Sequence, residues 1–283
     1  MLAEERRFRI REILAGQRTV TATALTEMLG VTAATIRRDL QALEQEGVLV
    51  RSHGGAVSRA SSTDFQLSYE ALQRTNHEEK EAIAAEAERL VMDGETLFLE
   101  GGSTVYELAR CLQRRSRLTV VTNSTPIISL LQRCPGITLM CTGGDLLRDT
   151  FFLAGVWAER VLSEIRVDKA FLGVSAIDAT YGVSTARQAE AQIKKILVKA
   201  ARVRVGLADH SKFGKQSFAY VGPLTDFSIL VTDSKTDSGS IQELRQAGVE
   251  VIIANERAAN NHIEVSKRDE KQTNILTVAH KQA

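Results

Sequence analysis

Five stretches in the second half of the chain place small polar residues directly after apolar runs of strand length. Thr96–Leu99 is followed by Glu100-Gly101-Gly102-Ser103-Thr104, Leu118–Thr122 by Asn123-Ser124, and Ile137–Cys141 by Thr142-Gly143-Gly144-Asp145. Ala170–Val174 is followed by Ser175 and Asp178, and Arg204–Ala208 by Asp209-His210-Ser211-Lys212. Glycine and hydroxyl residues that open a helix expose backbone N–H groups to an anion, and the helix dipole favours phosphate there. Small polar side chains beside them suit sugar hydroxyls, and Lys212 is suited to neutralise a phosphate. Taken singly, each loop is better explained by capping and turning, for which these residue types are the ordinary choice. Five of them at the ends of successive strands point to a site for a phosphorylated sugar. The candidate contacts are Gly101, Gly102, Ser103, Thr104, Thr122, Asn123, Ser124, Gly143, Gly144, Asp178, Glu190, Asp209 and Lys212. Glu190 and Lys194 lie four residues apart on the helical run Ala189–Ala201. A surface ion pair worth ~0.2–0.5 kcal/mol is the favoured reading for Lys194, while Glu190 stays open between that pair and a ligand contact.

A second constellation lies near the N-terminus and suits a polyanion. Thr32 is an N-cap in front of the helical run Ala33–Gln45, whose Ile36, Leu40 and Leu43 fall on one stripe. Ala33, Ala34, Thr35, Arg37, Arg38 and Gln41 are left on the outer face. The two alanines permit close approach to a groove, and Thr32, Thr35, Gln41 and the arginines can reach phosphates or base edges. Arg51 and His53 flank a short turn, His53-Gly54-Gly55, between the strand candidates Val48–Arg51 and Ala56-Val57.

The elements that must position these residues follow from periodicity. At the N-terminus, Leu2–Leu14 turns Ile10, Ile13 and Leu14 to one side and spreads Arg6, Arg7, Arg9 and Arg11 round the rest. Thr23–Leu29 is a short helix expected to bury Leu25, Met28 and Leu29. Helix, helix, turn, helix and a small hairpin make the plan of a winged helix-turn-helix. From His77 onward, apolar runs alternate with amphipathic helices, as in a Rossmann-like, mainly parallel α/β sheet. Further strand candidates are Ile229–Thr232 and Glu250–Ile253, and the helix candidates are Val105–Leu112, Pro126–Leu131, Val156–Ile165, Ala189–Ala201 and Ile241–Ala247. In such sheets ligands bind outside the carboxyl ends of the strands, where the polar loops fall. The fold class is α/β, divided into a DNA-binding domain (residues 1–58), a linker (59–76), a sensing domain (77–254) and a disordered or loosely packed tail (255–283).

Composition bounds this reading without supplying it. Of 283 residues 43% are hydrophobic and 25% charged, which excludes a wholly disordered chain. No apolar run reaches the ~18 residues of a membrane span, and the charged N-terminus lacks the apolar stretch of a signal peptide, so a cytoplasmic location is expected. Net charge is +1, and residues 1–57 carry eight arginines against seven acids, so charge alone does not mark a DNA-binding protein. Cys111, Cys134 and Cys141 show no metal-ligand spacing and read as reduced core thiols; no metal or other cofactor is expected.

The string LGVTAATIRRDLQALEQEGVLVRSHGGAV resembles the DNA-binding domain of the DeoR family of bacterial transcriptional regulators, with TIRRDL as recognition helix and RxHGGA as wing. The family commonly has serine where this chain has Thr32. The later strings FLEGGSTVYELA, LTVVTNS, TGGDL, LGVSAID, GVST and LADHSKFG are similar, in order, to that family's effector domain. The resemblance implies a fold like ribose 5-phosphate isomerase and glucosamine-phosphate deaminase. It also implies a homodimer or homotetramer, operator DNA as partner, and release by a phosphorylated sugar. Glu100 departs from it, since aspartate is common there. The expected function is a repressor of a carbohydrate operon relieved by a sugar phosphate. The competing reading is a sugar-phosphate isomerase or deaminase with an accessory DNA-binding domain. That reading needs a carboxylate base and a positioned acid, and Glu100, Asp178, Glu190 and Asp209 are the residues available to it.

Overall fold

The structure is a computed structural model describing residues 2–16, 19–46, 49–52, 54–58, 69–148 and 150–255. The chain forms two compact units, Met1–Leu67 and Ser68–Ala283.

The first unit runs α1 (Ala3–Gly16), β1 (Thr19–Thr21), α2 (Ala22–Leu29), α3 (Ala33–Gln45), β2 (Leu49–Ser52) and β3 (Gly55–Ser58). Side-chain caps set where its helices begin. Thr21 Oγ1 accepts from Ala24 N at 3.1 Å and Thr32 Oγ1 from Thr35 N at 3.3 Å, each satisfying an amide that the first helical turn leaves over. Ile10, Leu14, Leu25, Leu29, Ile36, Leu40, Leu43 and Leu49 form the core. Two expectations fail here. Met28 is 56% exposed rather than buried, because the two-turn helix α2 directs only Leu25 and Leu29 inward. Arg6, expected on the outer surface of α1, is buried beside Asp39. The hairpin of β2 and β3 gains a third strand, β1, which is too short for any period to reveal, giving the order β1-β3-β2. Gly55 opens β3 rather than belonging to the turn. A Cβ there would sit 2.2 Å from Val20 O, so only glycine lets β1 close on β3. Val48 and His53 lie outside the described residues.

The second unit begins with α4 (Tyr69–Arg74) and α5 (His77–Glu88), followed by β4 (Thr96–Leu99), α6 (Ser103–Leu112), β5 (Leu118–Thr122), α7 (Thr125–Leu131) and β6 (Ile137–Cys141). A small hairpin, β7 (Asp145–Leu147) with β8 (Phe152–Ala154), leads to α8 (Val156–Glu164) and β9 (Val167–Gly173). The remainder is β10 (Ala176–Asp178), β11 (Gly182–Thr185), α9 (Gln188–Ala200), β12 (Ala201–Leu207), β13 (Ala219–Gly222), β14 (Ile229–Asp233), α10 (Ser238–Gln246) and β15 (Glu250–Ala254). Seven strands form a parallel sheet in the order β15-β14-β12-β9-β4-β5-β6. Both faces are covered: Leu97 and Leu99 pack with α5, α6 and α7, while Phe98 packs with residues of α8, α9 and α10. Strands covered on both faces read as continuous apolar runs, which is why the sequence shows them clearly.

From β4 the chain winds through β5 to β6 at one edge, then returns to β9 on the other side of β4 and winds outward to β15. The strand order therefore reverses between β4 and β9, and the crevice opens at their carboxyl ends. Two smaller elements were not legible: the β7–β8 hairpin and an antiparallel sheet of order β10-β11-β13. Cys111 and Cys134 are partly buried free thiols, but Cys141 is exposed rather than in the core, because β6 is an edge strand. α4 occupies part of the segment expected to be linker, while linker residues 59–68 and tail residues 256–283 lie outside the described residues. Among the described residues no helix is long and apolar enough to cross a membrane.

Candidate functional site

On α3, Ala33, Ala34, Arg37, Arg38 and Gln41 are exposed on the side opposite the buried Ile36, Leu40 and Leu43. Thr32 and Thr35 serve the start of the helix: their hydroxyl oxygens are 2.9 Å apart, in addition to the capping bond. Asp39 turns inward, and both of its oxygens are bonded by Arg6, Nε to Oδ2 at 2.5 Å and Nη2 to Oδ1 at 3.2 Å. At the C-terminal end of α3, Arg7 and Arg11 both pair with Glu46. Arg51 lies exposed on β2, its backbone N–H donating to Glu44 Oε1 at 3.0 Å and its guanidinium 4.0 Å from Glu44 Oε2. Arg6, Arg7, Arg11 and Arg51 thus each have a carboxylate within the unit. Arg9, Arg37 and Arg38 are exposed with none among the described residues, and of these Arg37 and Arg38 lie on the outer face of α3, as the cations that helix offers to a nucleic acid.

In the second unit the polar loops assemble along the carboxyl edge of the sheet. Gly101 N donates to Asn123 Oδ1 at 3.0 Å, and Asn123 Nδ2 donates to Leu153 O at 3.4 Å, so this side chain braces the glycine loop against β8. Phe152 covers that loop, and a Cβ on Gly101 would meet its ring at 2.0 Å. Gly102 opens α6 with φ 128 and no side-chain cap, leaving the first-turn amides, beginning with Ser103 and Thr104, directed at the crevice edge. Thr122 Oγ1 donates to Leu99 O at 2.6 Å and accepts from Ser124 N at 3.1 Å, which ties β5 to β4. Ser124 Oγ is buried without a hydrogen-bond partner among the described residues. Gly143 and Gly144 follow β6 with positive φ, and Gly144 lies so close to β8 that a Cβ would be 2.4 Å from Ala154 O.

The switch point itself holds a buried charge cluster. Glu100 is wholly buried; its Oε2 accepts from Gly173 N at 3.1 Å and from Lys194 Nζ. Lys194 also donates to Gly173 O at 2.7 Å. The expected surface pair of Lys194 with Glu190 is therefore wrong: Lys194 is 2% exposed, and α9 directs it between β4 and β9. Glu190, one turn earlier, is also buried. It accepts from Thr185 Oγ1 at 2.7 Å and lies 3.7 Å from Arg187 Nε. Burial pushes the Glu100 carboxyl up to about 7, with Lys194 opposing the shift and the charge of Glu190 adding to it.

Asp209, fully buried after β12, caps the 3-10 turn His210–Lys212 through Ser211 N at 3.0 Å and accepts from Asn76 Nδ2 at 2.8 Å. Lys212 is half-buried, with its Nζ 3.7 Å from Asp209 Oδ2. Burial pushes the Asp209 carboxyl up, but Lys212, Ser211, Lys80 and Asn76 outweigh it and hold it below the usual range. Asp178 ends β10, whose Ile177 bridges to Phe213 in the loop that follows Lys212. It closes the β10–β11 turn, accepting from Thr180 N at 2.9 Å and Tyr181 N at 2.7 Å.

Lys80 escaped the sequence reading, although it sits in the EKEAIA string that opens the sensing domain. It is 2% exposed and donates to Leu72 O and Thr75 O at the end of α4; burial pulls its ammonium down to about 8. Its only signal in the sequence was a lysine on the apolar side of a helix. Among the described residues no cluster of His, Cys, Asp and Glu could hold a metal ion.

A winged helix with an uncommitted pair of arginines, in one chain with a parallel α/β unit whose strand ends carry polar loops, defines a two-domain DNA-binding regulator. The DeoR-like helix-turn-helix domain matches residues 6–62, and the DeoR C terminal sensor domain matches residues 75–234. The HTH-type transcriptional regulator YulB of Bacillus subtilis (strain 168) is 36% identical over 89% of this chain and 96% of its own length. The putative aga operon transcriptional repressor of Escherichia coli O157:H7 is 33% identical over 89% of this chain and 94% of its own. Ribose 5-phosphate isomerase A of Methanocaldococcus jannaschii is 26% identical, over 50% of this chain and 56% of that one. Its TM-score is 0.38, a likeness without functional weight. The chain belongs to the DeoR family of HTH-type transcriptional regulators. It is a regulator rather than an enzyme, which sets the isomerase or deaminase reading aside.

Proposed function

We propose that this chain is a repressor of a carbohydrate-metabolism operon that binds operator DNA through α3 and releases it when a phosphorylated sugar occupies the β4–β9 crevice. The observation that carries the reading is the uncapped N-terminus of α6 at the sheet's carboxyl edge, where the loops after β5 and β12 also place Ser124, Asp209 and Lys212. Phosphate suits the first-turn amides and Lys212, and sugar hydroxyls suit the side chains. A putative repressor among the relatives, named for the aga operon, supports the sign of control and an operon as its target. Release follows by linkage: a ligand that binds the DNA-free form better lowers DNA affinity by the same factor. The chain acts in the cytoplasm as a homodimer or homotetramer, a two-fold dimer reading half-sites about 34 Å apart, or a multiple of that.

The test is a thermal-unfolding screen of the full chain against aldose and ketose phosphates, their unphosphorylated parents and inorganic phosphate. A ligand at a hundred times its Kd stabilises by about 2.7 kcal/mol, a readily measured shift. Stabilisation by a phosphorylated sugar but not by its parent supports the reading. No stabilisation by any phosphorylated sugar rejects it.

A further inference from the structure

Glu100 is buried at the switch point, yet only one of its oxygens is accounted for. Oε2 takes the Gly173 amide and the Lys194 ammonium, while Oε1 is buried with no hydrogen-bond partner among the described residues. One strand over, Ser124 Oγ is in the same position. Buried polar atoms in folded proteins are nearly always partnered, so two orphans on adjacent strand ends mark where a ligand completes the structure. With Oε2 held by the Lys194 ammonium, the ionised carboxylate accepts only, so the partner of its Oε1 is a hydroxyl or an ammonium rather than a phosphate oxygen. Charge decides between the two. Glu100 and Glu190 face Lys194 and Arg187, two carboxylates against two cations, so a ligand ammonium would add an unbalanced buried charge and a hydroxyl adds none.

We propose that Glu100 is a specificity residue of the sensing site, its Oε1 accepting a hydrogen bond from a hydroxyl of the ligand's sugar portion, with Ser124 Oγ engaging a neighbouring hydroxyl. This deepens the sensing role proposed above and rests on it. Lys194 is a positioning residue, holding Oε2 so that Oε1 faces the ligand, and is not itself a phosphate contact. The phosphate goes to the first-turn amides of α6 and the hydroxyl end to Glu100.

The experiment is calorimetric titration of the full chain with ribose 5-phosphate, fructose 6-phosphate, glucose 6-phosphate, glucosamine 6-phosphate and inorganic phosphate. The readout is the affinity for the best hydroxyl-bearing probe divided by that for inorganic phosphate. Glu100→Asp keeps a charge for Lys194 but draws the carboxylate back by about one C–C bond, ~1.5 Å. It lowers that ratio by about tenfold to a hundredfold, the worth of a hydrogen bond to a charged group, and leaves inorganic phosphate binding unchanged. The double variant Glu100→Met, Lys194→Met removes the ion pair as a unit, leaves no charge stranded, and shows the same collapse. Ser124→Ala, which removes only an unpartnered hydroxyl, moves the ratio in the same direction by less. A ratio unchanged in these variants overturns the assignment and leaves the sensing reading intact. A wild-type preference for glucosamine 6-phosphate over glucose 6-phosphate, which has a hydroxyl in place of the ammonium, that is lost in Glu100→Asp also overturns it. A wild-type chain that binds none of the probes overturns the sensing reading, and this inference with it.

Discussion

Arg6 of α1 and Asp39 of α3 form a two-point ion pair beneath the recognition helix, with side-chain exposures of 11% and 6%. The outward arginines thus depend on an inward one: Arg6 fixes the rotation of α3 about its axis, and that rotation presents Arg37 and Arg38. Asp39→Ala removes the carboxylate from a buried guanidinium, at a cost of ~1.5–3 kcal/mol. The expected outcome in the full chain is a tenfold to hundredfold rise in hydrogen-exchange rate for the α3 amides, and unchanged exchange there contradicts the role.

Arg37→Ala and Arg38→Ala act differently, because neither side chain supports the core. Each weakens operator binding by about 1–3 kcal/mol if it reads a base, or lowers the salt slope of binding by about one unit if it meets a phosphate. Fluorescence anisotropy at three salt concentrations separates the two cases. Operator affinity and slope both unchanged would remove the arginine from the interface.

How much of this was legible follows from what each signal depends on. The parallel strands and α3 were found because burial on both faces, or on one stripe, writes itself into the sequence as a run or a period. β9 extends over Val167–Gly173 where Ala170–Val174 was expected, since Asp168 and Lys169 break the apolar run although they sit within the strand. The β7–β8 hairpin is only three residues per strand, too short for a period, yet it carries Phe152 over Gly101. The capacity of the strand ends for polar contacts was readable, but the partners were not. Lys194 was assigned to Glu190 by local spacing, whereas its partner, Glu100, lies 94 residues away just past the end of β4. Long-range pairs between buried charges depend on topology, which spacing within one helix does not encode.

Lys212→Ala tests the phosphate end of the crevice. The variant keeps operator affinity, since the residue lies in the second unit, but its affinity for the sugar phosphate that binds wild type falls about tenfold or more. A normal release of DNA by that ligand would exclude Lys212 from the site.

Lys80 predicts a pH dependence whose sign is fixed by its burial. Burial pulls its ammonium down to about 8 in the fold from an ordinary 10.5. Below pH 8 it is charged in both states, and above 10.5 neutral in both. Between these values the unfolded chain holds a proton that the folded chain lacks, so stability rises with pH. Relative to Lys80→Met, the unfolding free energy of the second unit should rise by about 3 kcal/mol from pH 8 to pH 10.5. Denaturant unfolding at a series of pH values reads this directly, and a flat difference across the window would show that the ammonium is not desolvated.

The most direct test of the whole account is a gel shift with DNA from upstream of the protein's own gene and its neighbours, under excess competitor DNA, each lane repeated with one of a panel of sugar phosphates. The expected result is a specific complex with wild type, none with the Arg37→Ala, Arg38→Ala double variant, and dissolution of the complex by one phosphorylated sugar. A specific complex that no sugar phosphate dissolves would contradict the sensing role, and the absence of any specific complex with folded protein would contradict the assignment of α3 to DNA.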